Sequence, residues 1–308
     1  MGVNMRKFVF VILHYMAYED TKECIDSIFK KLADDKNRNL FDVIVVDNGS
    51  TNNSFEELIE DFKNIPNIHF LKLKVNLGFA RGNNVGYKYA KYKLNADFII
   101  MMNNDTIMVQ NDFLKKIEKL YEETKFSVLG PDIINLKGFH QNPVEFINIS
   151  KGKDYIKHIL KIFIIMILNI LGLYEFSKKL KNKVFKFRNE NVIKKEKHFE
   201  KEMKNVKLHG SCWIFSKIFI DNFDGLYDET FMYLEEDILY YILQKENMIT
   251  LYSPKLKIIH KEDVSTDYIL RKSRKKRTFI LKNLLKSFRA YRKLVKNYEK
   301  EIKRIKKS

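Results

Sequence analysis

The chain has 308 residues, of which 45% are hydrophobic, so it can bury the core of one large domain or of two small ones. It has only two cysteines, which excludes a disulfide-stabilised scaffold, and we expect Cys24 and Cys212 to be buried, reduced thiols of a cytosolic protein. The formal net charge of +18 predicts contact with a polyanion, either nucleic acid or an anionic lipid surface.

The first part of the chain alternates buried apolar runs with amphipathic stripes. Four apolar runs predict strands at residues 7–13, 42–46, 68–73 and 98–102. Between them, apolar side chains recur at helical spacing, and this βαβαβαβ order predicts an α/β fold with a mostly parallel sheet and helices on both faces. The first run is too short for the core of a signal peptide, so we interpret it as a strand.

Polar clusters follow the second, third and fourth predicted strands, at residues 47–50, 76–84 and 103–106. In a parallel sheet of this kind the ligand sits at the carboxyl ends of the strands. The sequence therefore predicts that all three clusters lie along one rim and form one binding site.

The second half carries the positive charge. Residues 151–207 contain 16 Lys/Arg against 6 Asp/Glu, and residues 265–308 contain 17 against 3. Residues 158–176 are almost entirely apolar but too short for a confident membrane span, so we expect a monotopic helix that dips into one leaflet or, alternatively, a core helix. The alternation resumes with a strand at residues 211–215.

The tail from residue 266 onward reads as a basic amphipathic helix. Its apolar residues, among them Phe288, Tyr291 and Leu294, recur every three or four positions, and lysines and arginines fill the other face. Such a helix is suited to an anionic lipid interface, which is the interpretation we favour. The alternative is a helix that packs its apolar face on the rest of the protein. Nucleic acid is disfavoured, because no binding motif accompanies the charge.

Three motifs at the predicted rim suggest chemistry. Asn103-Asn104-Asp105 ends a buried strand, where hard oxygen ligands suit Mg²⁺ or Mn²⁺, although the same residues could form a polar turn. Asp47 also ends a strand, where its carboxylate could accept hydrogen bonds from a base or ribose, or simply belong to a turn before a helix. The glycine- and asparagine-rich segment 76–86 could let backbone N–H groups approach a phosphate or ribose.

Two motifs in the second half are also candidates. Glu235, Glu236 and Asp237 are three adjacent acids, which could include a general base that takes a proton from a hydroxyl group, or could complement the N-terminus of a helix. His260 follows an apolar run and is either structural or a further metal ligand.

Together, and in this order, these motifs resemble family 2 glycosyltransferases with a GT-A fold, especially the bacterial-type rhamnosyl- and galactosyl-like transferases of surface polysaccharides. The resemblance covers about residues 7–135 and 206–266. It implies that Glu236 is the catalytic base, with Asp237 or Glu235 in that role if the alignment shifts by one residue.

The resemblance also implies a donor site and a metal site. The donor site is implied for the residues Tyr15, Asp47, Asn76, Gly78, Asn83 and Asn104. The metal site is implied for Asp105, Asn103 and His260, with Mg²⁺ or Mn²⁺ as the cofactor. Asn103 stands where the family often has the first acid of its Asp-x-Asp motif, which leaves Asp105 as the main charged ligand.

The implied activity is an inverting, metal-assisted transfer of a sugar from a UDP- or dTDP-sugar to a glycan or lipid-linked acceptor, at the cytoplasmic face of the membrane. A non-catalytic nucleotide-sugar-binding protein and, less favoured, a nucleic-acid-binding protein are the alternatives. We expect a GT-A catalytic domain over residues 1–266, with a helical insertion at about 150–205, and the basic tail over residues 267–308. The oligomeric state is not predictable from these features.

Overall fold

A computed structural model describes residues 6–32, 40–175, 198–261 and 274–306. Its centre is a nine-stranded sheet in the order β3-β2-β1-β4-β8-β6-β9-β5, with β7 paired to β9. Helices cover both faces of this sheet, and buried side chains form one apolar cluster on each face. The predicted α/β fold with a sheet flanked by helices is therefore confirmed.

The first four strands are parallel, as the apolar runs predict. They are β1 (Phe8–His14), β2 (Phe41–Asp47), β3 (Ile68–Lys72) and β4 (Phe98–Asn103). In β1 six of seven residues are buried, and in β2 all seven are, because helices cover both faces of these strands. In the parallel register His14 lies opposite Asp47, and Leu13 lies opposite Asn103. The ends of β1, β2 and β4 consequently share one rim.

The second half of the sheet mixes directions. The remaining strands are β5 (Thr106–Met108), β6 (Val128–Asn135), β7 (Met203–Lys204), β8 (Cys212–Ser216) and β9 (Thr250–His260). Strand β8 is antiparallel to both β4 and β6, while β6 and β9 are parallel. This insertion of β8 brings the residues that precede it against the end of β4, where the Asn103 backbone N–H donates to the Ser211 carbonyl at 2.9 Å.

Helices α1 (Tyr18–Leu32), α2 (Ser54–Phe62), α3 (Phe79–Tyr92) and α4 (Phe113–Thr124) connect the strands of the first half. Helices α6 (Lys217–Asn222) and α7 (Glu235–Lys245) follow β8. Both cysteines are buried and unpaired, as predicted. Cys24 lies on α1 and Cys212 begins β8.

The remaining helices come from the predicted insertion and from the basic tail. Helix α5 (Gly152–Ile170) lies in the predicted insertion, and α8 (Arg274–Lys296) and α9 (Tyr298–Ile302) form the basic tail. Helix α8 packs against α5. Within the described residues, no helix is both long enough and apolar enough to cross a bilayer.

The apolar stripe of the tail is covered by protein. Phe288, Tyr291 and Leu294 are at most 2% exposed and belong to the main core cluster. The favoured interpretation, in which this stripe enters lipid, is therefore wrong for α8, and the alternative of packing on the rest of the protein is the one observed. An amphipathic pattern specifies that one face is buried but not which partner buries it.

Candidate active site

A pocket of about 300 Å³ opens at the carboxyl-end rim of the sheet. Its walls come from the end of β4, the start of α3, the segment before β8, and the segment that leads into α7. The lining residues are Phe79, Asn103, His209, Gly210, Ser211, Met232, Tyr233, Leu234, Glu235 and Glu236. The pocket thus joins two of the predicted motifs, the Asn103 cluster and the acidic segment, that are more than 100 residues apart in sequence.

Two of the three adjacent acids line the pocket. They occupy the first turn of α7, directly after Leu234, which has a left-handed backbone with φ of 71°. Glu236 lies over Gly210, since a Cβ placed on that glycine would come within 2.7 Å of Glu236 Oε1. Glu235 is 7% exposed and accepts a hydrogen bond from the Thr230 hydroxyl at 2.8 Å. Glu236 is therefore a pocket-facing acid with a glycine beneath it.

Asp237 does not line the pocket. Its Oδ1 accepts a hydrogen bond from the Ile147 backbone N–H at 2.6 Å and forms an ion pair with Lys207 Nζ at 2.9 Å. Both charged side chains are buried. Consecutive helical residues point about 100° apart, so a carboxylate next to Glu236 in sequence faces a different neighbour. Asp237 joins α7 to the segments before α5 and β8, and the structure does not place it as an alternative base.

Of the three predicted metal residues, Asn103 lines the pocket, and Asp105 and His260 lie just beyond it. Asp105 Oδ1 is buried, accepts no hydrogen bond among the described residues, and lies 3.3 Å from His260 Nε2. His260 Nδ1 lies 2.8 Å from Gln141 Oε1. A proton on Nδ1 that is donated to this oxygen leaves a lone pair on Nε2, facing the carboxylate. In this arrangement the two acceptor atoms can both bind a divalent cation placed between them.

Asp105 and His260 connect to the pocket through His209. The rings of His209 and His260 are 5.6 Å apart between centroids, and His209 lines the pocket. Within the described ranges, no group of three or more His, Cys, Asp and Glu side chains is arranged to hold a metal. Asp105 and His260 can therefore supply only part of a coordination shell.

The ends of β2 and β3 form a second part of the rim. Asp47 is fully buried, and its Oδ1 accepts a hydrogen bond from the Ser50 backbone N–H at 3.0 Å. Its Oδ2 is buried and has no hydrogen-bond partner among the described residues. An unsatisfied buried carboxylate oxygen is costly, so this atom is a candidate for contact with a ligand.

The loop before α3 is held by Asn48. Its Nδ2 donates to Asn76 Oδ1 at 3.1 Å, and its Oδ1 accepts from the Leu77 N–H at 2.9 Å. Gly78 has φ of 84°, and a Cβ there would come within 2.3 Å of the Phe231 carbonyl oxygen. Only glycine fits both constraints. The predicted glycine-rich loop consequently touches the segment that leads into the acids.

A family model for glycosyl transferase family 2 matches residues 9–221, which is more than half of the chain. The chain belongs to this family. The match confirms the family resemblance predicted from the motifs, and it includes Asp47, the glycine-rich loop and Asp105. It ends before Glu235, so the placement of the acidic segment rests on the geometry described above.

Individual relatives of the family are similar over part of their length. The low-salt glycan biosynthesis hexosyltransferase Agl10 of Haloferax volcanii is 22% identical over 238 residues, which are 77% of this chain and 62% of the relative. The dTDP-rhamnosyl transferase RfbF of Shigella flexneri is 31% identical over 110 residues, which are 36% of this chain and 34% of the relative. The chain thus spans less than two thirds of the length of either protein.

A solved structure shows that the fold is shared. The crystal structure of GalNAc-T7 with UDP, GalNAc and Mn²⁺ superimposes with a TM-score of 0.54 at 12% identity, over 84% of this chain and 44% of that one. At this identity the similarity concerns the arrangement of helices and strands only.

None of the six family-implied donor residues lines the pocket. Tyr15 is 44% exposed at the rim. Asn83 is buried within α3, where its Nδ2 donates to the Phe79 carbonyl at 3.0 Å. Asn104 donates to the Thr21 hydroxyl at 3.0 Å. In this structure Asn83 and Asn104 therefore stabilise backbone and helix contacts near the rim.

Several pocket residues were not predicted from the sequence. His209, Gly210 and Ser211 precede β8, and they reach the site because β8 pairs with β4 in the antiparallel direction. Asn48 and Lys207 also act on site residues through hydrogen bonds. The available signal was a run of small and polar residues directly before a buried strand, which resembles the other strand-end clusters.

The buried Glu235 predicts a pH effect on stability. Burial, reinforced by the neighbouring Glu236, raises the pKa of Glu235 from its ordinary 4.5 to about 7. The folded state then binds this proton more tightly than the unfolded chain does. Protonated Glu235 therefore stabilises the folded state most below pH 4.5, and this stabilisation is lost as the pH rises through about 7. Ionisation of Glu235 should cost up to about 3 kcal/mol of the free energy of unfolding.

Glu235→Gln should therefore be more stable than wild type at pH 8 and should lose less stability between pH 5 and pH 8. Urea unfolding at both pH values measures this difference. Glu60→Gln, at a highly exposed position on α2, is the matched control and should leave the pH dependence unchanged. Identical pH dependence in wild type and Glu235→Gln would contradict the assignment.

Proposed function

We propose that the protein transfers a sugar from a nucleotide-diphosphate donor to a hydroxyl group of an acceptor, with inversion at the anomeric carbon. The observation that carries this proposal is the position of Glu236, a carboxylate that faces a rim pocket shared with Asn103 and His209. A single displacement requires a base that faces the acceptor hydroxyl, and Glu236 is placed to be that base.

Glu236 takes the proton of the acceptor hydroxyl while the acceptor oxygen bonds to the anomeric carbon. The bond from that carbon to the diphosphate oxygen breaks, and its electron pair leaves with the nucleoside diphosphate. Attack opposite to the leaving group inverts the configuration. Glu235, which is buried and bonded to Thr230, is protonated below about pH 7 and so limits negative charge beside Glu236.

The donor is held at the ends of β2 and β3. The unsatisfied Asp47 Oδ2 accepts hydrogen bonds from the nucleoside. The Asn76–Gly78 loop borders the donor, with its Leu77 and Gly78 N–H groups already donated to Asn48 and Asn76. The names of the two relatives support a hexose or deoxyhexose as the transferred sugar, and the second name supports a dTDP-sugar as its carrier. A UDP-sugar is the other donor that we propose.

A divalent cation, Mg²⁺ or Mn²⁺, fits the residues present. The unsatisfied Asp105 Oδ1 and the inward-facing His260 Nε2 are suitable ligands, Asn103 lies at the same strand end, and donor oxygens and water would complete the shell. When bound, the cation neutralises the charge that develops on the leaving diphosphate.

The acceptor is proposed to be a glycan or a lipid-linked glycan, in cell-envelope polysaccharide synthesis at the cytoplasmic face of the membrane. The relative named for glycan biosynthesis supports the glycan part. The protein would be peripheral or monotopic, with residues 1–266 as the catalytic domain and residues 267–308 as its helical tail. The basic charge of two segments supports contact with a polyanion, and the lack of a nucleic-acid-binding motif in the sequence favours an anionic membrane surface.

Transfer assays test this function directly. A panel of UDP- and dTDP-sugars is incubated with lipid-linked acceptors, with Mg²⁺ or Mn²⁺ present, and the anomeric configuration of the product is determined by NMR. Formation of an inverted product supports the proposal. Binding of a donor without turnover on any acceptor would favour the alternative of a non-catalytic nucleotide-sugar-binding protein, and a retained configuration would exclude single displacement.

Gly210→Ala should slow transfer without unfolding the protein. The added Cβ would lie 2.7 Å from Glu236 Oε1, the mobile end of a side chain, so the carboxylate moves rather than the backbone. Misplacing a base by about 1 Å costs on the order of 10²-fold in rate. The measurement is kcat together with the melting temperature. Gly152→Ala, where a Cβ would meet only Arg292 at 3.3 Å, is the matched control and should retain wild-type kcat.

A further inference from the structure

Helix α5 carries a continuous apolar face that no described part of the protein covers. Six of its large apolar side chains are 42–59% exposed, and two more follow directly after the helix. They are Ile156, Leu160, Phe163, Ile164, Ile167 and Ile170, followed by Leu171 and Leu173. At about 100° per residue the six helical positions fall within an arc of roughly 120°. We call this set the α5 outer face.

The opposite side of α5 packs on α8. Asn169 donates to the Thr278 hydroxyl at 3.0 Å, and the rings of His158 and Phe288 stack with centroids 5.2 Å apart. These contacts show that the two helices run antiparallel. Helix α5 thus uses one side for the core and exposes an equally apolar second side. A solvent-exposed helix of an ordinary soluble domain would carry polar residues there.

Basic residues border the α5 outer face. Lys153, Lys157 and Lys161 are exposed at four-residue intervals along one edge of the apolar arc. None of the three makes an ion pair among the described residues. The partner helix α8 adds further exposed basic residues, among them Lys282, Lys286 and Arg289. An apolar face with lysines along its edge is the composition of a helix that lies in a lipid interface.

We propose that the α5 outer face docks the protein on an anionic bilayer, with its isoleucines, leucines and Phe163 among the upper acyl chains and its lysines at the headgroups. Charge decides between this occupant and a second copy of the chain. A twofold contact through α5 would add the lysine edges of both copies to one interface, which raises its positive charge. An anionic lipid surface instead attracts each lysine.

The docking surface is connected to the pocket through α8. Ser287 donates to the Met232 carbonyl at 2.7 Å, and Met232 lines the pocket. The Phe279 and Phe231 rings are also in contact, with centroids 6.3 Å apart. The pair of helices that includes the α5 outer face therefore also packs against one wall of the pocket. This inference rests on the proposed function and specifies its membrane contact, which it assigns to α5 and not to the tail. It also favours the lipid-linked glycan as the acceptor.

Vesicle binding tests the proposal without requiring turnover. The full-length chain is sedimented with vesicles of phosphatidylcholine alone or mixed with phosphatidylglycerol, at low and at high salt. The test variant is Ile164→Glu with Ile167→Glu. The control is Ile59→Glu, which is the same type of substitution at a 38% exposed position on α2. Circular dichroism and melting temperature confirm that each variant folds.

Wild type and the control should bind the anionic vesicles, and the double variant should bind at least about tenfold more weakly. Replacing Lys153, Lys157 and Lys161 by Glu should remove the preference for anionic lipid. Wild-type binding by the double variant would overturn the proposal. A second result would also overturn the proposal: wild type does not bind vesicles but forms a dimer in analytical ultracentrifugation, and the double variant does not form that dimer. Failure of transfer with intact vesicle binding would instead contradict the enzymatic function alone.

Discussion

Glu236→Gln should reduce sugar transfer by about 10² to 10⁴-fold, the usual effect of removing a general base. Glutamine has nearly the same shape as glutamate but cannot accept the proton of the acceptor hydroxyl. Donor binding should survive, because the donor contacts proposed for Asp47 and the Asn76–Gly78 loop are untouched. The measurements are kcat with a saturating acceptor and the donor Kd by calorimetry.

Asp237→Asn is the informative comparison for this result. Asp237 holds Lys207 in a buried ion pair and accepts the Ile147 N–H, so its loss leaves a buried positive charge without compensation. Breaking such a pair typically costs about 3–5 kcal/mol of stability. We therefore expect Asp237→Asn to lower the melting temperature strongly, whereas Glu236→Gln should not. An active Glu236→Gln with a stable but inactive Asp237→Asn would reverse the assignment of the base.

Asp105→Ala should abolish the metal dependence of the protein and reduce transfer by about 10²-fold or more, since metal charge neutralisation is worth several kcal/mol in the transition state. The variant removes the one acid in the Asn103-Asn104-Asp105 motif. Mn²⁺ binding, followed by electron paramagnetic resonance, provides a readout separate from activity. In wild type, chelator should stop transfer and added Mn²⁺ should restore it.

Asn103→Asp is the complementary variant. It adds a second acid to the strand end and should maintain or raise Mn²⁺ affinity. Wild-type turnover by Asp105→Ala, unaffected by chelator, would show that the metal assignment is wrong.

The parallel half of the fold was predictable because its signals are local. In β1 and β2 nearly every residue is buried, so continuous apolar runs marked them directly. The antiparallel insertion of β8 between β4 and β6 depends on contacts between segments far apart in sequence, which periodicity does not encode. Helix α8 shows the same limit, because its stripe predicted a buried face but not that protein would cover it.

The site was predictable to the level of motifs. Polar residues at the ends of β2 and β4 lie at one rim, because parallel strands bring their carboxyl ends together. Among Glu235, Glu236 and Asp237, however, the rotation of α7 decides which carboxylate faces the pocket. That rotation is set by the packing of the whole helix, including the Lys207 contact to Asp237, and no short motif specifies it.

The pairing of β6 with β8 also separates the segment proposed to contact the membrane from the residues at the rim of the sheet. These neighbouring strands are antiparallel, so the chain leaves β6 and enters β8 at the same end of the strands. Residues 151–202 lie within this excursion, and each doubling of such a loop costs only about 0.6 kcal/mol in closure entropy. Provided that α8 keeps a packing partner, this segment can be exchanged for another while the rim stays intact. If α5 docks on the bilayer as proposed, a change in this one segment would alter the membrane contact and leave the residues at the rim unchanged.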